Sequence, residues 1–158
     1  MSVNKFRPHV FLLPEDDANR ELANGFLLQV DRLRQVQVLR AAGGWNEVLK
    51  RFESEHVTAM ERCPERFMVL LIDFDGKGGR LTNAKAAIPE HLADRVFVLG
   101  AWSKPEDLKT ALGTYERIGQ AMADDCRDTT DKTWGHELLR HNASELERLC
   151  EHVRSIFF

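Results

Sequence analysis

The sequence predicts one α/β domain: a mostly parallel four-stranded sheet flanked by helices, followed by a long C-terminal amphipathic helix. Three observations carry this expectation. Val10 to Leu13, Phe67 to Ile72 and Val96 to Leu99 are short, continuously apolar runs, the pattern of strands buried on both faces. Stretches with helical apolar spacing separate them, and strands alternating with helices favour a parallel sheet covered on both sides. At 158 residues with 43% apolar content, the chain can fill one core but not two.

The first apolar run halts at Pro14, and Asp16 or Asp17 can cap a helix carrying Leu22, Ala23, Phe26, Leu27 and Val30 on one face. Gln35 to Leu39 alternates polar and apolar residues, which suits a strand near a sheet edge. After the break at Gly43-Gly44, Trp45, Val48, Leu49, Phe52, Val57 and Met60 predict a helix ending before Pro64. Phe67 to Ile72 is the most apolar stretch and predicts a central strand, stopped abruptly by Asp73-Phe74-Asp75-Gly76. Leu81 to Ile88 fits a short helix before Pro89, and Gly100 ends the next strand. Pro105, Glu106 and Asp107 form a good first turn for a helix continued by Leu108, Leu112, Tyr115 and Ile118. From about Thr133, Leu139, Leu146, Leu149, Val153 and Ile156 mark the long C-terminal helix. Residues 1–125 are thus read as the α/β domain, and 126–158 as a helical extension packed on it or offering a homodimer surface.

Composition narrows the function classes. A formal charge of −3 provides no general basic field for nucleic acid, so such a partner has to be argued from a site. Cys63, Cys126 and Cys150 are odd in number and never form a Cys-x-x-Cys pair, which argues against a disulfide framework or a structural zinc site. The N-terminus lacks a signal-peptide core, and nothing approaches the roughly 20 apolar residues of a membrane span. A cytoplasmic protein without membrane contact is expected.

In open parallel sheets the loops at the carboxyl ends of the strands converge on one edge, where ligands bind. Glu15 follows the first strand, and Asp73 and Asp75 follow the third, so the three meet there if those strands are neighbours. Alternation along an extended chain puts Asp73 and Asp75 on one side and Phe74 on the other. Gathered carboxylates raise one another's pKa unless a cation sits between them. Mg²⁺, or Mn²⁺ in its place, combines a few carboxylate oxygens with water and substrate phosphate, which points to phosphoryl or phosphodiester chemistry. Lys77 and Arg80, in the glycine-rich loop beside Asp75, are candidates for neutralising a phosphate. His136 is a further candidate if it reaches that edge. Gly76-x-Gly78-Gly79 is not a P-loop, because no Gly-Lys-Ser/Thr follows.

An apolar strand closed by Glu15, another closed by Asp73-Phe74-Asp75, then Val96 to Leu99 followed by Pro105-Glu106-Asp107-Leu108, resembles the Toprim domain. In particular it is similar to the small Toprim proteins related to the overcoming-lysogenization-defect nucleases. The resemblance spans roughly residues 8–112 and implies a Toprim-like, Rossmannoid sheet. It implies Glu15 as an acid/base or metal group, Asp73 and Asp75 as Mg²⁺ ligands, and Glu106 as a further acidic metal group. The family usually has glycine after the first-strand Glu, where this chain has Asp16. The resemblance further implies a nuclease acting on DNA or RNA, in a phage-defence or mobile-element setting beside a separate ATPase partner.

Two rival readings stand beside this one. Asp73-Phe74-Asp75-Gly76 also resembles the opening motif of haloacid-dehalogenase-type phosphatases, although that motif normally lies on the first strand. The other is a non-catalytic Toprim-like or receiver-like module that binds a partner, since fold does not determine activity.

Overall fold

A computed structural model of the chain describes residues 3–158. Four strands form one all-parallel sheet: β1 (His9–Pro14), β2 (Val36–Val38), β3 (Arg66–Leu71) and β4 (Val96–Leu99), in the order β2-β1-β3-β4. β1 and β3 are the central pair, in register from His9 opposite Arg66 to Pro14 opposite Leu71. β2, the half-polar strand, lies at an edge as its alternation predicts.

Side chains alternate across this sheet with period two, and both faces are buried. Val10, Leu12, Val69, Phe97 and Leu99 face one core layer, which is closed by helices α1 (Asp17–Leu27), α5 (Pro105–Leu112), α6 (Tyr115–Asp128) and α7 (Ala143–Phe157). Phe11, Leu13, Met68, Leu70, Ile72, Val96 and Val98 face the other. That second layer is covered by α2 (Trp45–Arg51), α3 (Val57–Arg62) and α4 (Gly79–Ala86). A π turn at Phe52–His56 joins α2 to α3, so the expected helix is continuous but locally widened.

The path of the chain opens a crevice at the carboxyl end of the central pair. From β1 the chain leaves through α1, on the first face, to β2. From β3 it leaves through α4, on the second face, to β4. Connections departing to opposite sides of neighbouring parallel strands define the switch point at which such sheets bind ligands.

Two expected helices differ from the structure. The segment beginning at Pro105 is two helices, because Gly113 takes a left-handed φ of 107° and the Thr114 side chain caps α6 by accepting the Arg117 N–H. The C-terminal helix begins at Ala143 rather than near Thr133. The intervening residues are held as turns by the buried Asp125 carboxylate, which accepts the Thr130 hydroxyl and the N–H groups of Lys132, Thr133 and Trp134. Three of these bonds satisfy backbone donors that a helix would otherwise have used. The boundary read at 125/126 falls inside α6, and Leu149, Val153, Ile156 and Phe157 of α7 belong to the shared core. The apolar stripe offered to a second copy is thus covered by the chain itself. Among the described residues no helix is long and apolar enough to cross a membrane.

α1 and α6 touch backbone to backbone. A Cβ at Gly25 would lie 2.2 Å from Glu116 O, and one at Gly119 would lie 2.1 Å from Leu22 O. This crossing fixes α1, whose first turn borders the crevice. Gly119→Ala is therefore expected to lower the urea-unfolding free energy by about 1–3 kcal/mol or more, the usual cost of overpacking. Gly78→Ala, whose Cβ meets nothing within 4 Å, is expected to change it by less than about 0.5 kcal/mol.

Candidate functional site

Glu15 and Asp73 stand on the two sides of the crevice. The β1–β3 ladder continues past the strands: Glu15 N–H donates to Leu71 O at 2.8 Å, and Asp73 N–H donates to the Glu15 carboxylate Oε2 at 2.7 Å. A side chain of β1's continuation thus replaces the missing strand partner of β3. The Glu15 carbonyl is wrapped in turn by the N–H groups of Gly43 and Gly44, at 2.8 and 3.2 Å. Both glycines have positive φ, 99° and 151°, which side-chain-bearing residues rarely adopt.

β3 pairs onward with β4's continuation, Ile72 N–H to Leu99 O and Phe74 N–H to Ala101 O. Extended backbone there buries Ile72 and Phe74 in the second core layer. Asp73 consequently faces α1, where Asn19 Nδ2 donates to its Oδ1 at 3.2 Å. Asp16 is the N-cap of α1, accepting the Asn19 N–H at 2.9 Å and Asn19 Nδ2 at 3.1 Å. The result is a compact acidic cluster: Glu15, Asp16 and Asp73 each offer a carboxylate oxygen within 4.8 Å of the others.

The cluster is electrostatically loaded. Asp73 is 8% exposed, and burial, together with the charges of Glu15 and Asp16, pushes its carboxyl up to about 8 against the opposing Asn19 hydrogen bond. Burial also raises Glu15, with Asp16 adding to it, while the Asp73 N–H and the Arg80 charge pull the other way. Among the described residues none of the three carboxylates has a cationic side-chain nitrogen within 4.0 Å. Three close oxygen donors without a basic partner fit a small hard cation, and they fit Mg²⁺ or Mn²⁺ by donor type.

Asp75 and Glu106, expected as metal ligands, lie outside this cluster. Alternation should have returned Asp75 to the side of Asp73, but its φ of 52° and the 68° of Gly76 end the extended run in a left-handed turn. Asp75 instead faces Arg80 at 3.6 Å and Lys77 at 4.0 Å. Glu106 is an exposed residue in the first turn of α5, where a negative charge favours the helix dipole.

Arg80 is firmly placed beside the cluster. It donates to Asp73 O at 2.6 Å and its guanidinium lies 5.0 Å from the Trp45 ring centroid. Lys77 is largely solvent-exposed. His136 uses Nδ1 to accept the Leu138 N–H at 3.1 Å and so closes its own turn. The sequence reads Asp16 only as a helix cap and gives Asn19 and Trp45 no role at the site. The signal for the first two was present, since Asp16 and Asn19 stand three apart at a helix start.

An Asp with a raised native pKa binds more protons folded than unfolded between about pH 4 and about 8. Its contribution to stability is full below the unfolded value and is lost as pH rises toward 8. In chelator, the melting temperature of the wild type should therefore fall across that range more steeply than that of Asp73→Asn. Mg²⁺ at pH 8 should restore the wild type and leave the variant unmoved. Comparison of the chain with protein-family models, curated proteins and solved structures finds no match, so its function is argued from this geometry.

Proposed function

We propose that the chain is a divalent-cation-dependent phosphoryl-transfer domain, most simply a nuclease cutting phosphodiester bonds in DNA or RNA. The observation that carries this reading is the Glu15, Asp16 and Asp73 cluster at the switch point of a parallel sheet, with Arg80 held at its rim. Uncompensated carboxylates are costly in a buried crevice, and a bound cation removes that cost.

Glu15, Asp16 and Asp73 would hold Mg²⁺ or Mn²⁺, which when bound supplies positive charge to a phosphoryl oxygen and to the attacking oxygen. The chain's own groups supply the rest. Glu15, fixed by the Asp73 N–H on its Oε2, would take the proton from the attacking water or hydroxyl beside the cation. Arg80 spends part of its five-donor fork on Asp73 O and Asp75, and its remaining N–H groups serve a phosphate oxygen. Asn19 fixes Asp73 and Asp16 relative to each other.

With a net charge of −3, affinity for a polyanion would come chiefly from the cation and Arg80 rather than from a general basic field. The test is cleavage of plasmid DNA, single-stranded DNA and structured RNA in Mg²⁺, Mn²⁺ or chelator. Cation-dependent cleavage is expected, with Glu15→Gln and Asp73→Asn each lowering the rate by about 100-fold or more and Asp75→Asn by less than about tenfold. Absence of cleavage on every substrate, or a greater loss from Asp75→Asn than from Asp73→Asn in folded proteins, would overturn it.

A further inference from the structure

The thiols of Cys126, on α6, and Cys150, on α7, face each other with their sulfurs 3.3 Å apart, although 24 residues separate them in sequence. Cys126 is buried, while Cys150 is half-buried and lines an open groove of about 970 Å³ that both residues share with Leu146, Glu147 and Arg154. A disulfide needs the two sulfurs at about 2.05 Å, a further approach of just over an ångström that side-chain rotation within two packed helices can supply. Nothing in the proposed phosphoryl-transfer chemistry uses these groups.

We propose that Cys126 and Cys150 form an oxidation site that closes reversibly into a disulfide on reaction with a peroxide. Cys150, the less buried of the two groove-lining cysteines, attacks the peroxide O–O bond. Its sulfur becomes a sulfenic acid and the other peroxide oxygen leaves as water after taking a proton. Cys126 then attacks the sulfenic sulfur, the S–S bond forms, the S–O bond breaks, and the departing hydroxide takes the Cys126 proton. Two thiols are oxidised by two electrons in total, and one peroxide is reduced to two waters.

The nearby Arg154 guanidinium favours a thiolate at this pair, whereas burial opposes it. Cys126, the more buried of the two, suits the resolving thiol that reacts once its neighbour has been oxidised. Glu147 and Glu151 also border the groove and temper the local positive charge.

Closure would matter at the acidic edge, because the bridged segment contains the residues that hold β4's end. Asn142 accepts the Gly100 N–H at 3.1 Å and donates to the Gly100 carbonyl at 2.9 Å, and Leu138 O accepts the Trp102 N–H at 2.9 Å. A bridge would staple this segment to α6 and slow exchange of the Gly100 and Trp102 amide hydrogens. Closing a loop of this length should also raise the melting temperature by roughly 5–10 °C.

The experiment is titration of the reduced full chain with hydrogen peroxide, followed by alkylation and non-reducing peptide mapping by mass spectrometry. A Cys126–Cys150 cross-linked peptide reversed by dithiothreitol, with Cys63 still alkylated, is expected. In Cys126→Ser, dimedone should label Cys150. Three outcomes would overturn the proposal: both thiols still alkylated after excess peroxide, Cys150 driven to sulfinic acid without a bridge in the wild type, or cross-linking only between chains. The wild-type map decides the question even if the serine variant fails to fold.

Discussion

The parallel pairing of β1 with β3 is the constraint on which the rest of the site depends. Running six residues in register, it brings Glu15 alongside the residues that follow Leu71 and leaves the Asp73 N–H with no strand carbonyl to donate to. The Glu15 carboxylate accepts that N–H, so one interaction both completes the backbone hydrogen bonding and fixes an acidic side chain at the crevice. Asp73 is carried to the same place by the alternation that buries its neighbours, Ile72 and Phe74. Like charges then converge because apolar side chains on either side need a core. The fold stabilises the arrangement with neutral and backbone donors, Asn19 and the Asp73 amide, and directs Arg80 to a carbonyl and to Asp75 rather than to the cluster.

The outer elements serve this edge. Backbone contact at Gly25 and Gly119 sets the position of α1, and with it the Asp16 cap and Asn19. The C-terminal segment braces the other side of β3. Gly100 lies so close to Ile72 that a Cβ there would come 1.6 Å from the Ile72 carbonyl oxygen, and Asn142 grips both its N–H and its carbonyl. Buried Asp125 shapes the turns that deliver Asn142 to that place, its carboxyl held below the usual range by the Thr130 hydroxyl and three backbone N–H groups despite its burial. The C-terminal helix is therefore integral to the domain, with its apolar stripe facing the sheet.

The strands, their parallel arrangement and the edge position of β2 were legible because each is written in local hydrophobic pattern. Period-two burial and runs such as Phe67 to Ile72 need no long-range information. Glu15 and Asp73 could be placed at one edge for the same reason, since strand ends in parallel sheets share an edge. Asp75 could not be placed, because a left-handed turn at a non-glycine residue overrode alternation, and the only hint was Gly76 beside it. The turns after Asp128 were equally hidden. They follow from one buried carboxylate taking donors up to nine residues away, and a residue such as Leu139 carries the same apolar signal in a turn as in a helix. The Toprim resemblance rested on short motifs. Of its implied ligands, Glu15 and Asp73 meet in space, whereas Asp75 and Glu106 stand apart from Asp16, which the motif did not assign.

The proposed chemistry of this edge requires that these three carboxylates hold a cation. The most direct measurement is anomalous diffraction from crystals of the chain equilibrated with Mn²⁺. A peak coordinated directly by oxygens of Glu15, Asp16 and Asp73, absent in Asp73→Asn crystals, is the result predicted. A peak on Asp75 or Glu106 instead, or no peak in the crevice at saturating Mn²⁺, would contradict it.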